Sequence, residues 1–300
     1  MQGGKGFVRS QGGERRGHAA SSVCCLPPRI FHRFFPRLFF RSFAKPLDFA
    51  RQLRYHGSRW EADERGEAPA LEGRHDGILF DLDGTLWDET AVTAETWVEV
   101  ARRHPGVFPP ERMNREAICR GMGLTNEELA RAFFPELPYE TALSLMRESC
   151  ELENRWLPTR GGKLYPGVVE TLAALREAGR RLFVVSNAQD GYVEAFLTAH
   201  RMWDVFEDYE SSGRTGCGKA ENIRAVIERR GLKTPVYVGD TVSDRDGARG
   251  AGIPFVYCRY GFGETYGRGR TDDYDAALDC FSDLPAILTS LRTDSRTTEC

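Results

Sequence analysis

The residues best placed to do chemistry lie in the run Phe80-Asp81-Leu82-Asp83-Gly84-Thr85. It follows a short apolar stretch that reads as a strand. In extended backbone, residues two apart face the same side, so Asp81 and Asp83 present their carboxylates together. Two such groups at the carboxyl edge of an open α/β sheet stand where ligands bind in that architecture. Asp-x-Asp-Gly is also a common turn composition and can begin a calcium loop. That loop needs further oxygen ligands and a Glu at fixed offsets, whereas Thr85-Leu86-Trp87 follows here and Trp87 offers no ligand.

Three further segments sit in order behind this one. Ser186 ends the apolar run Leu182-Phe183-Val184-Val185, Lys219 stands before a helical stretch, and Gly239-Asp240-Thr241-Val242-Ser243-Asp244 follows a third apolar run. Taken singly, Ser186-Asn187 reads as a helix N-cap and Lys219 as a solvated surface charge. Taken together and in order, the four segments resemble the motifs of the haloacid dehalogenase superfamily. The resemblance is to its subgroup of helical-capped phosphoglycolate phosphatases and beta-phosphoglucomutases, and it spans about residues 77 to 290. Ala220 departs from the pattern, since the family often has Pro after the third-motif lysine.

The resemblance implies a Mg²⁺-dependent phosphatase of small phosphomonoesters, phosphoglycolate-like or sugar-phosphate-like. In it, Asp81 attacks phosphorus to form an aspartyl-phosphate, and Asp83 serves as acid and then base. It further implies that Asp81, the Asp83 carbonyl and Asp240 hold the metal. Thr85, Ser186, Asn187 and Lys219 would bind the phosphate, and Asp244 would orient Lys219 or a metal-bound water. A sugar phosphomutase of the beta-phosphoglucomutase type is the alternative, with a non-catalytic binding protein on the same fold behind it. Asp83 argues against the metal-free dehalogenases, which lack that carboxylate. No lysine between Lys45 and Lys163 could form the Schiff base of phosphonate-cleaving relatives.

A rival motif fails at one position. Gly213 to Lys219 nearly spells the nucleotide-binding P-loop, but Ala220 supplies no hydroxyl for Mg²⁺, and residues 206–212 read as a poor buried strand.

The elements that must carry these residues are legible from periodicity. Compact apolar runs at 77–80, 181–185, 236–238 and 254–257 read as buried parallel strands. Amphipathic stretches at 168–178 and 221–230, each followed by Gly, read as crossover helices, and 282–291 as a closing helix. The expected fold is therefore α/β: a doubly wound, mostly parallel, Rossmann-like sheet. Between the first strand and Val168 lies an excursion too long for an ordinary connection. It reads as a small all-helical cap, with helices at 91–103, 111–120, 126–133 and 139–156. Within it, Arg120, Gly121 and Gly123 are the candidate substrate loop. The expected division is a leader at 1–75, a core at 76–88 and 161–292, a cap at 89–160 and a disordered tail at 293–300.

The leader is basic, Gly- and Arg-rich and without sustained periodicity, a composition that points to disorder. The whole chain, with 41% hydrophobic residues, 28% charged residues and a net charge of −3, carries no polyelectrolyte signal, which excludes nucleic acid as an implied partner. No apolar run approaches membrane-spanning length. Eight cysteines without a Cys-x-x-Cys pair fit reduced thiols and a cytoplasmic protein. The expected partner is a small phosphorylated metabolite, and the expected state a monomer or weak homodimer.

Overall fold

The computed structural model describes residues 75–266 and 270–291, so the expectations for residues 1–74 and 293–300 lie outside the described residues. Six strands form one parallel sheet: β1 (Gly77–Phe80), β4 (Arg181–Ser186), β5 (Asp208–Ser211), β6 (Pro235–Gly239), β7 (Phe255–Cys258) and β8 (Ala276–Leu278). Their order is β5-β4-β1-β6-β7-β8. β1 is central because all four of its residues are apolar or small and buried on both faces. Its register aligns Phe80 with Val184 on one side and Val238 on the other. The Asp81 N–H continues the ladder, donating to the Val238 carbonyl at 2.8 Å. β1 is therefore the point where strand order reverses, and the crevice opens beyond the carboxyl ends of β1, β4 and β6.

Helices cover both faces. Leu79, Phe183, Tyr237 and Phe255 pack with Ile223, Val226 and Ala248. The last three come from α8 (Lys219–Arg230) and α9 (Val242–Ala251). Phe80 points the other way, toward Phe281 and Phe206. That face also holds the buried side chains of α5 (Val168–Glu177) and α6 (Tyr192–Ala199). The sheet closes with α11 (Leu284–Ser290), after a 3-10 turn over Phe281–Asp283.

The cap comprises α1 (Thr90–Arg103), α2 (Arg115–Gly121), α3 (Asn126–Phe133) and α4 (Tyr139–Arg160), and it has a core of its own around Trp97, Phe108, Phe134, Leu145 and Met146. The chain enters and leaves it through a two-stranded antiparallel pair, β2 (Trp87–Asp88) with β3 (Lys163–Leu164). Gly162 is required at that exit, because a Cβ there would lie 2.7 Å from the Trp87 ring and 2.9 Å from the Glu89 backbone.

The structure has the expected doubly wound sheet with its helical cap, and it corrects several boundaries. Residues 206–212 contain strand β5 after all, and β8 and the β2–β3 pair were not anticipated. The single helix expected at 111–120 is a 3-10 turn, Pro110–Met113, and then α2, because the Asn114 side chain accepts from the Ala117 N–H and caps a new helix. α4 runs through Pro158 to Arg160, since proline in a last turn disturbs only the turn before it. The domain is anchored ahead of Gly77: the Asp76 carboxylate accepts from the Lys233 and Thr234 N–H groups at 2.7 and 2.9 Å. Among the described residues, no helix is long and apolar enough to cross a membrane.

Candidate active site

Each strand that ends at the crevice delivers one part of the site: β1 leads into Asp81, β4 ends on Ser186 and β6 leads into Asp240. The first turn of α8 sends Lys219 into the same space, where it is 6% exposed. Lys219 Nζ donates to Asp81 Oδ1 at 2.7 Å and to Asp244 Oδ1. Burial by itself would lower the lysine's pKa, but the Asp244 and Asp81 carboxylates hold it above the ordinary value. Gly247 is what lets α9 lie this close, since a Cβ there would meet Lys219 Cγ at 2.8 Å.

Asp244 organises its neighbours. Its Oδ2 accepts from the N–H groups of Asp240 and Thr241 at 3.1 and 2.9 Å and from the Thr241 hydroxyl at 2.7 Å. The Asp244 carboxylate thereby fixes both Lys219 and the start of α9. Asp240 is fully buried. Its Oδ2 accepts from the Phe262 and Gly263 N–H groups at 2.7 and 3.3 Å, which explains the Tyr260-Gly261-Phe262-Gly263 loop structurally. Thr85 Oγ1 reaches Asp240 Oδ1 at 3.3 Å.

Burial pushes the Asp81 carboxyl up to about 8, with the Asp244 charge adding to it and Lys219 opposing. Asp240 is pushed well above the usual carboxylate range by burial and by the charges of Asp244 and Asp81. Asp81, Asp240 and Asp244 bring carboxylate oxygens within 4.8 Å of one another, with Lys219 beside them. Three carboxylates against one ammonium leave an excess of buried negative charge, which a divalent cation with hard oxygen ligands fits. Asp244 is already committed through both oxygens to an ammonium, two amides and a hydroxyl, whereas Lys219 takes only Oδ1 of Asp81 and Asp240 Oδ1 meets only the Thr85 hydroxyl at 3.3 Å. Asp81 and Asp240 are the side chains with an oxygen more open to a cation.

Asp83 stands slightly apart. Its Oδ1 accepts from the Trp87 indole N–H at 2.7 Å and from the Tyr192 hydroxyl at 2.9 Å. Burial raises its pKa, while Glu89, Tyr192 and Trp87 hydrogen bonds work against that rise. Asp81, Asp83, Ser186, Asn187 and Lys219 line one cavity of about 90 Å³, whose far wall is the cap.

The remaining expected residues divide. Gly121 and Gly123 line the cavity. Arg120 points outward to pair with Glu116, so it does not belong to a loop over the site. Thr85 is buried behind Asp240 and is not part of the cavity wall. The Ser186 hydroxyl accepts from the Ala188 N–H at 3.2 Å. Asn187 ties cap to core, its Nδ2 donating to the Gly123 carbonyl at 3.1 Å and to Ser243 Oγ at 2.9 Å. Reasoning from sequence missed Trp87, Glu89, Glu153, Gln189 and Tyr192. Trp87 had a signal, as the first large side chain after the acidic turn. The others come from helices and loops whose approach to Asp83 depends on tertiary packing.

Residues 78–258 match the family model described as haloacid dehalogenase-like hydrolase. The phosphoglycolate phosphatase of Nitrosospira multiformis is 30% identical, over 70% of this chain and 91% of its own length. That of Caulobacter vibrioides is 29% identical, over 72% and 92%. Among solved structures, a predicted phosphoglycolate phosphatase from Haemophilus somnus aligns at a TM-score of 0.60 with 23% identity, over 71% of this chain and 97% of its own. The magnesium-bound HAD-hydrolase YfnB of Bacillus subtilis aligns at 0.55 with 17% identity, over 72% and 99%. The chain therefore belongs to the haloacid dehalogenase-like hydrolase family.

Proposed function

We propose that the protein is a Mg²⁺-dependent phosphatase of small phosphomonoesters that works through an aspartyl-phosphate on Asp81. The reading rests on one arrangement above all: Asp81 held at the end of β1 by Lys219, with Asp240 beside it and Asp83 opening on the same cavity. Relatives that the chain covers almost end to end carry the name phosphoglycolate phosphatase, which supports phosphomonoester hydrolysis.

A Mg²⁺ ion held by the Asp81 and Asp240 carboxylates and the Asp83 carbonyl would offset the charge of both nucleophile and phosphate. Lys219 keeps Asp81 oriented and offers its ammonium to a phosphate oxygen, and the Ser186 hydroxyl offers a second donor. An Asp81 oxygen forms the new bond to phosphorus as the ester P–O bond breaks. The Asp83 proton passes to the departing alkoxide. Ionised Asp83 then takes a proton from the water that attacks phosphorus, releasing phosphate and restoring the Asp81 carboxylate. Trp87 and Tyr192, both donating to Asp83, fix the direction in which that proton moves.

The test is phosphate release from an aryl phosphate with Mg²⁺ present. Wild type should turn over, and Asp81→Asn, folded by circular dichroism, should not. Equal rates in the two proteins would sink the proposal.

A further inference from the structure

The phosphate-facing residues account for only one end of the cavity. The other end lies under the cap, and each cap helix turns one stripe of its surface toward it. α1 contributes Thr93 and Trp97, and α3 contributes Asn126, Leu129 and Phe133. α4 contributes Met146, Cys150 and Glu153, while Ile118 and Met122 stand at the end of α2. Within each helix these positions are three or four apart, so the wall is built from one face of each.

No cation faces this end. Among the described residues lining the cavity, the only Lys or Arg is Lys219, already bonded to Asp81 and Asp244. The nearby cap arginines are turned elsewhere: Arg115 to Asp88 and Tyr266, Arg120 to Glu116, and the exposed Arg131 over the Tyr139 ring. The N-terminus of α3 is also taken, because Thr125 and Glu128 close a capping box over it. A leaving group ending in a carboxylate would lose its water here and meet no positive charge.

A second observation is independent of charge: the polar side chains of the wall are met from within the protein. Gln189 donates to Glu153 Oε2 at 2.9 Å, and the Ser149 and Thr93 hydroxyls bond to the same carboxyl group. Glu89 shares a hydrogen bond with Asp83 at the phosphate end, and Asn126 bonds to the Cys150 thiol. What is left to touch a ligand is the carbon surface of Trp97, Ile118, Met122, Leu129, Phe133 and Met146. That surface is closely assembled. A Cβ on Gly121 would lie 2.6 Å from Leu129 Cδ2 and 2.7 Å from Phe133 Cζ, so glycine lets α2 press onto α3, and Phe133 meets Trp97 edge to face.

We propose that the leaving-group end of this cavity is built for uncharged hydrocarbon, so that the preferred substrates are phosphate monoesters of small apolar alcohols, hydrolysed by water to the alcohol and phosphate. The occupant follows from continuity: Asp81 and Asp83 line the same cavity, so whatever is esterified to a phosphate seated there lies against this wall. Leu129 and Phe133 are the specificity-determining residues. The proposal rests on the phosphatase reading for its chemistry and on the cap wall for its selectivity. A branched alkyl group gains by leaving water for that wall. A carboxylate of the same shape gives up its hydration with no cation to receive it, and an ammonium meets only carboxyl groups that are already bonded.

Isobutyl phosphate and phosphoglycolate have nearly the same shape, two methyl groups in one replacing two carboxylate oxygens in the other, and ethanolamine phosphate ends in the opposite charge. With Mg²⁺, wild-type kcat/KM for isobutyl phosphate should exceed that for either charged ester at least about fivefold. Leu129→Ala should shrink that advantage at least about twofold. Two phosphonates that cannot be hydrolysed, 3-methylbutylphosphonate and 3-phosphonopropionate, repeat the comparison without turnover, and calorimetric titration of wild type with Mg²⁺ should give the tighter Kd for the first. A smaller or reversed kcat/KM ratio overturns the proposal, as does equal or weaker binding of 3-methylbutylphosphonate. A folded Leu129→Ala protein with an undiminished advantage overturns the assignment of selectivity to the wall. If wild type hydrolyses none of the esters and no aryl phosphate, the phosphatase reading fails, and the Kd order still decides the selectivity of the cavity. If Leu129→Ala does not fold, the wild-type ratios decide.

Discussion

Glu153→Gln should reverse part of the pH dependence of stability. Burial is the main reason that the Glu153 carboxyl is pushed up to about 7 from 4.5, with the Asp83 charge adding to it and Gln189 opposing. Its folded pKa lies above its unfolded one, so the folded state keeps a proton that the unfolded chain releases between those values. The stability gained from that proton is fully present below about pH 4.5 and lost as pH rises through about 7. A shift of about 2.5 units corresponds to roughly 3 kcal/mol. Glutamine keeps the shape and remains neutral: its oxygen can still accept from Gln189 and its nitrogen can donate to Ser149. The assay is urea unfolding of both proteins in metal-free buffer at about pH 5 and about pH 8.5. Wild type has already lost a little under 1 kcal/mol at the lower pH, so the variant should gain roughly 2–3 kcal/mol on wild type between the two, a midpoint shift near 1 M urea. A variant-to-wild-type difference that stays constant across that range would refute the argument.

Three further substitutions probe the scaffold. Gly84 has φ +84°, and a Cβ there would lie 2.2 Å from Asp240 Oδ2. Gly84→Ala should cost about 1–3 kcal/mol and cut kcat at least about a hundredfold, read by thermal unfolding and aryl phosphate turnover. Lys219→Met leaves the buried Asp81 and Asp244 carboxylates without their shared cation, so about 3–5 kcal/mol should be lost in urea unfolding at neutral pH. A loss under about 1 kcal/mol would show that the ammonium is not the main counter-charge there. Asp76→Ala removes the acceptor for two N–H groups at the start of β6 and should cost about 1–2 kcal/mol in the same assay, with kcat little changed.

How much could be read in advance follows from where each element lies. β1 was legible to the residue because a central parallel strand is apolar on both faces, and Gly77–Phe80 is bounded by polar residues. β5 was not, because an edge strand needs to bury one face only. Asp208 and Glu210 instead face Arg229 and Arg230 across the surface of α8. β8 is three residues long and hidden for the same reason. In the site, Asp81, Ser186 and Asp240 were foreseeable because neighbouring strand ends bring them together whatever the loops do, and Lys219 because it opens the helix that packs beside them. Glu89, Glu153 and Tyr192 were not. A glutamate in a charged helix such as α4 looks solvated until the cap lies on the core and seals it in.

The small β2–β3 pair bears on how the chain folds. Gly77 pairs with Arg181, roughly a hundred residues along, and strand pairing over such a distance is slow because the intervening loop must first be closed. Trp87 against Leu164 gathers the two ends of the cap, so that once they meet, β1 and β4 are separated by two short tethers instead of the whole insertion. On this topology the insertion acts as a self-closing detour. Its length can change without lengthening the search that β1 must make for its partner.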